Sequence, residues 1–113
     1  MNDFYPEMIT NLPDIDIPLE GVRGKLLQAG DYQMAFFDIQ PTAKVPAHSH
    51  DAQFGVMLDG EMDLTIGGET RTVRKGDTYH IPKGVEHSAV FRSRVLVMDL
   101  FAEPARYKAK DQK

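Results

Sequence analysis

Three histidines in two short stretches carry the chemistry this chain offers. The first stretch, HSHDAQFGVMLDG, sets His48 and His50 two residues apart, followed by Gln53 and Gly60. The second, GDTYHIPKGVEH, sets Gly76, Pro82, Gly84 and His87 at short offsets. Residues i and i+2 of a strand share a face, so a strand carrying His48 and His50 points both imidazoles the same way. Neutral imidazoles are common ligands for zinc, copper, iron and nickel. Alone, an HxH pair is more often polar surface, because short motifs match by chance. The third histidine, delivered at the end of a turn forced by Pro82 and Gly84, shifts that balance toward a metal site.

The elements that must hold such a site read as strands. DYQMAFFDIQ at 31–40 and RVLVMDLF at 94–101 are strand-length, rich in branched and aromatic residues, and bounded by Gly, Pro or charge. In EMDLTI, Met62, Leu64 and Ile66 fall on one face and Glu61, Asp63 and Thr65 on the other. Gly67-Gly68 then signals a hairpin turn, and ETRTV returns with the same alternation. Gly76-Asp77 and Pro82-Lys83-Gly84 mark further turns. Prolines spread along the chain leave no long window for a helix. Short strands at this spacing predict an all-β barrel or sandwich.

Composition bounds the rest. At 113 residues the chain suits one domain over 1–113, with core motifs at 42–91, an N-terminal arm at 1–19 and a charged tail at 104–113 expected to fray. A net charge of -4 gives no basic footprint, which argues against nucleic acid and anionic membrane as partners. With no cysteine, disulfides, thiolate metal sites and cysteine nucleophiles are excluded. No apolar run is long enough to span a bilayer, and the acidic, mixed N-terminus lacks a signal-peptide layout, so a cytoplasmic location is expected.

Taken together the two motifs resemble the cupin family. Its pattern has His-x-His, a glutamate, six residues and a glycine, then a glycine, five residues, Pro-x-Gly, two residues and a histidine. His48, His50, Gly60, Gly76, Pro82, Gly84 and His87 match at the family's spacings. The resemblance implies a double-stranded β-helix, a jelly-roll barrel, holding one divalent transition metal: nickel, zinc, iron, copper or manganese. Thr42 stands where the pattern has its first glycine and Phe91 where it has its last asparagine.

The departure that touches the site is Gln53, which stands in the glutamate's place only two residues after His50. In an unbroken strand it faces away from His50; to join the ligands it needs a bulge or turn around Asp51-Ala52. Asp51 is a less suitable substitute, reading as a solvated turn residue. A glutamine offers a neutral carbonyl oxygen, so a metal held by His48, His50, His87 and Gln53 keeps its full charge. Such a centre binds metal less tightly but draws anionic or enolate-like ligands. The expected function is a metal-dependent enzyme acting on a small organic acid or dicarbonyl, with oxygenase, decarboxylase, lyase and isomerase chemistry open. The alternative is a non-catalytic ligand-binding or sensor barrel, since fold does not fix function.

Around the motifs, Tyr79 is expected in the core with its hydroxyl satisfied, and His80 and Glu86 outside. Phe54, Val56 and Leu58 form a second apolar face on the strand that carries Gln53. A homodimer covering that face is therefore expected, or else cover from the N-terminal segment MNDFYPEMI.

Overall fold

A computed structural model describes residues 4–110. After one helical turn, α1 (Glu7–Thr10), the chain runs through nine strands: β1 (Val22–Ala29), β2 (Tyr32–Ile39), β3 (Lys44–His48), β4 (Gln53–Asp59), β5 (Glu61–Ile66), β6 (Glu69–Arg74), β7 (Thr78–Ile81), β8 (His87–Phe91) and β9 (Val95–Phe101). They form two antiparallel sheets, ordered β1-β2-β9-β4-β7 and β3-β8-β5-β6. This is the all-β double-stranded β-helix, or jelly roll, that the sequence predicts.

Alternation decides what lies between the sheets. Met62 and Leu64 of β5 are buried while Asp63 and Thr65 look outward. Val95, Val97 and Phe101 of β9, with Met57 of β4 and Ile81 of β7, meet them from the opposite sheet, and Phe91 of β8 joins them from their own. The β5–β6 hairpin turns on Gly67 and Gly68, with φ of 57° and 89°. A two-residue hairpin turn with both centres at positive φ is what a glycine pair supplies without strain.

β3 and β4 lie in different sheets, so residues 49–52 are a crossing and not a bulge within one strand. The parity of a single strand therefore does not decide which way Gln53 points relative to His50. Gln53 belongs to a strand of the five-stranded sheet, and its inward parity is set there with Gly55 and Met57. His50 likewise lies beyond the end of β3 and does not share a strand with His48.

The two ends of the chain depart from the expected arm and frayed tail. Residues 13–15 add to the edge of β1, through the Ile15 N–H to the Gly24 carbonyl and the Leu26 N–H to the Pro13 carbonyl, each 2.9 Å. The C-terminal segment then adds outside them: the Asp16 N–H reaches the Lys108 carbonyl and the Lys110 N–H the Asp14 carbonyl, both at 2.8 Å. Tyr107 anchors this strap, its ring set edge-on against Phe37 and Phe101. The aromatic anchor and these backbone partners explain why the charged segment is held along the sheet edge, with Tyr107 half-buried and Lys108, Ala109 and Lys110 still exposed. Residues 1–3 and 111–113, the remainder of the expected arm and tail, lie outside the described residues.

A second, smaller cluster covers the outer face of the five-stranded sheet. Tyr5, Ile9 and Leu12 from the N-terminal segment rest on Phe36, Leu96, Leu58, Met34 and Met98. No helix among the described residues is long and apolar enough to cross a membrane.

Candidate metal centre

The three histidines come together at one mouth of the barrel. His48 closes β3 and His87 opens β8, and the two are paired across the ladder. His50 is returned to them by the Pro82–Gly84 turn, whose Gly84 N–H donates to the His50 carbonyl at 2.9 Å. Gly84 sits at φ +79°, a conformation that glycine takes at little cost. The possible ligand nitrogens of His48, His50 and His87 all lie within 4.8 Å of one another.

Backbone carbonyls fix which nitrogen of each ring faces the others. His48 Nδ1 is 2.8 Å from the Pro46 oxygen, His50 Nδ1 2.7 Å from Asp51, and His87 Nδ1 3.0 Å from Val85. A carbonyl only accepts, so each Nδ1 carries the hydrogen and each Nε2 keeps its lone pair. The Nε2 atoms of His50 and His87 stand 3.1 Å apart. Two lone pairs at that separation repel unless a cation or proton lies between them. Nitrogens about 2.0–2.1 Å from a shared ion and near a right angle are about 3 Å apart, so the donor set fits a transition metal. Burial, ahead of every other influence, lowers the pKa of His50 and His87, while their backbone hydrogen bonds oppose it; the Arg106 charge adds to the lowering. These two imidazoles are thereby biased toward the neutral form a metal requires.

Gln53 lines the same cavity and is buried. Its amide hydrogen-bonds to Asp99 and to Tyr79, and Tyr79 Oη donates to Asp99 Oδ1 at 2.6 Å. An ionised carboxylate only accepts, so an amide that bonds Asp99 does so through its N–H and keeps its oxygen for another partner. Gly55 makes room for this cluster: a Cβ there would overlap the Tyr79 ring and Asp99 Oδ1. Burial pushes the Asp99 carboxyl up to about 6, against the hydrogen bonds from Tyr79 and Gln53. Burial likewise carries the Tyr79 phenol well above its usual range, with the Asp99 charge adding to it.

Arg106 brings a positive charge to the same space. The cavity of about 590 Å³ is lined by the histidines, Gln53, Tyr79 and Asp99 and, from the strap, by Arg106, Tyr107 and Lys108. The Arg106 guanidinium lies 4.7 Å over the Tyr107 ring, and its Nε is buried without a hydrogen-bond partner, alone in this among the described side chains. A buried N–H with no acceptor is costly, and the guanidinium it belongs to comes from a residue that lines the cavity, where its charge suits an anion.

Of the residues singled out in the sequence, His48, His50 and His87 are brought together, and Gln53 joins the same wall. Asp51 turns elsewhere, 3.6 Å from Lys83 in a partly exposed ion pair. Tyr79 is buried with its hydroxyl satisfied, and His80 and Glu86 are exposed. Sequence reasoning missed Asp99 and Arg106. For Asp99 a signal existed: a carboxylate at an inward position of VLVMDLF, otherwise Val, Val and Phe. For Arg106 no local pattern pointed inward, because the strap is built from long-range contacts.

Comparison with known proteins agrees with the fold. The family profile described as "Cupin domain" matches residues 35–101, more than half of the chain. The KdgF protein from a Halomonas species is 27% identical with a TM-score of 0.72, over 82% of this chain and 89% of that one. An RmlC-like cupin from Shewanella frigidimarina is 21% identical with a TM-score of 0.75, over 94% of both chains. A curated relative, the phomopsin biosynthesis cluster protein C' of Diaporthe leptostromiformis, is 26% identical over 94% of this chain. The chain spans about half of that relative, 53% of its length. The profile match, the jelly roll and the histidines at its mouth agree: the chain belongs to the cupin family.

Proposed function

We propose that the protein binds one divalent transition metal through Nε2 of His48, His50 and His87 with Gln53 Oε1 as a fourth donor. We further propose that it acts as an enzyme on a small organic acid or dicarbonyl compound. The observation that carries this reading is the shared cavity, lined both by the three histidines, whose candidate ligand nitrogens lie within 4.8 Å of one another, and by the positively charged Arg106. When bound, the metal supplies Lewis acidity to a carbonyl or enolate oxygen.

The chain's own groups divide the remaining work. Arg106 holds the substrate carboxylate and, being fixed over Tyr107, orients it. Asp99, with its pKa near 6, is largely ionised at neutral pH yet basic enough to take a proton from carbon beside a polarised carbonyl. Tyr79 and Gln53 hold it in place and hydrogen-bond the anion. The apolar surroundings, Phe91, Phe101 and Ile81 among them, keep competing water out. An acid–base group set beside an anion site favours decarboxylase, lyase or isomerase chemistry over oxygen insertion.

The test starts with elemental analysis of protein purified without an affinity tag. Close to one equivalent of nickel, zinc, iron, copper or manganese per chain is expected, and its loss in a His48→Ala/His50→Ala double variant that keeps its β-rich circular dichroism. Small acids and dicarbonyl compounds are then screened for turnover in air and without oxygen. Turnover that survives Asp99→Asn would remove Asp99 from the reaction; binding without any turnover would leave the ligand-binding barrel as the better reading.

A further inference from the structure

One carboxylate outside the ligand set touches the centre from the strap side. Glu103 Oε2 accepts the Asp51 N–H at 3.2 Å and lies 3.8 Å from His50 Nδ1. Both side chains are well buried, 18% exposed for Glu103 and 8% for His50. The His50 Nδ1 hydrogen goes to the Asp51 carbonyl, and Glu103 holds the same residue by its N–H. The Ala102 N–H, bonded to the Ala52 carbonyl at 2.9 Å, ties the end of β9 to this loop, and the Phe101 ring stands edge-on to His50, 5.5 Å away.

From this geometry, and resting on the metal reading above, we infer that Glu103 is the positioning residue for His50. It fixes the loop that fixes the ring, and its negative charge stabilises the positive charge an imidazole gains on donating to a metal. Neither His48 nor His87 has an ion-pair carboxylate of this kind among the described residues, so the effect falls on one ligand. Glu103 also lies three residues before Arg106, so one segment carries both a mooring of the metal site and the anion-binding charge.

Chelator-stripped parent protein and its Glu103→Gln and Glu103→Ala variants, titrated with cobalt(II), test this. The visible absorption of cobalt reports the ligand set. Affinity is expected to fall on the order of 10–100-fold in Glu103→Ala, less in Glu103→Gln, which can still accept the Asp51 N–H. The cobalt band should shift in the same order, while the melting temperature of the metal-free protein stays within about two degrees of the parent. Parent protein that takes up no cobalt overturns the metal reading and this one with it. If the parent binds and both variants bind within twofold, only the role of Glu103 falls. That role falls equally if affinity drops only alongside the metal-free melting temperature, since such a drop marks a structural residue.

Discussion

At the scale of single residues, the replacement of a carboxylate by Gln53 shapes the centre. Gln53 lines the cavity with the three histidines and hydrogen-bonds Asp99, so in the proposed centre the negative charge sits beside the donors and not among them. Gln53→Glu should tighten metal retention against a chelator by about tenfold, because it adds charge at the metal, and should weaken oxalate binding. A variant equal to the parent on both counts would take Gln53 out of the ligand set. Asp99 gives a prediction with a definite sign. Its folded pKa of about 6 lies above the ordinary 3.8, so the folded state holds its proton more tightly than the unfolded chain. That contribution is complete below about pH 4 and is lost as pH rises through 6, a change of about 2–3 kcal/mol. In metal-free protein, Asp99→Asn should therefore gain melting temperature relative to the parent as pH goes from 4 to 7. A difference that stays flat over that range would contradict the burial of an ionisable carboxyl at this position.

At the scale of elements, the strap holds the site together. Gln33 is 1% exposed, and its amide clamps Tyr107 on both sides: Nε2 donates to the Tyr107 carbonyl and Oε1 accepts its N–H, both at 2.9 Å. Gln28 Nε2 holds the Pro104 carbonyl at 3.0 Å, and Gln28 Oε1 accepts from Gln33 at 2.8 Å. Gln33→Leu would leave two backbone groups without partners, at about 1–3 kcal/mol each. The expected result is a drop of several degrees in melting temperature, with faster hydrogen exchange and proteolysis confined to 103–110; a strap as protected as the parent's would show that Tyr107 packing alone suffices. This element also marks where the sequence stops being legible. Strands such as β5 and β9 announce themselves because a two-residue period is a local property. The turns at Gly67-Gly68 and Pro82–Gly84 do so because backbone geometry is written in residue type. The strap depends on Gln33, 74 residues away from Tyr107, and no local pattern carries that. His50 was legible as a metal candidate from the His-x-His spacing and the third histidine, whereas Gln53 was legible as one only through the family pattern. A parity rule that assumes one strand fails where the chain crosses between sheets.

At the scale of the whole molecule, the outer face of the five-stranded sheet is only partly covered by the chain's own described residues. The N-terminal segment covers its middle, where Tyr5 is buried against Phe36, but does not reach its far side. There Phe54 is 44% exposed, with Val56 only half-buried, on β4; Met8 of α1 is 77% exposed at the margin. Of the two covers expected from the sequence, the chain's own N-terminal segment lies over Leu58, Leu96 and Met98; a second copy over Phe54 and Val56 is what we propose for the remainder. Identical chains usually pair about a two-fold axis, which would set this surface against itself. A homodimer of twice 12.7 kDa is the expected mass in light scattering on untagged protein at micromolar concentration. Val56→Glu should shift it to the monomer or cause aggregation, since a carboxylate buried without a partner is heavily penalised. Metal content should survive that substitution, because Val56 faces away from the cavity that His48, His50 and His87 share. Parent protein at the mass of a single chain would rule the dimer out and leave the exposed edge as ordinary surface.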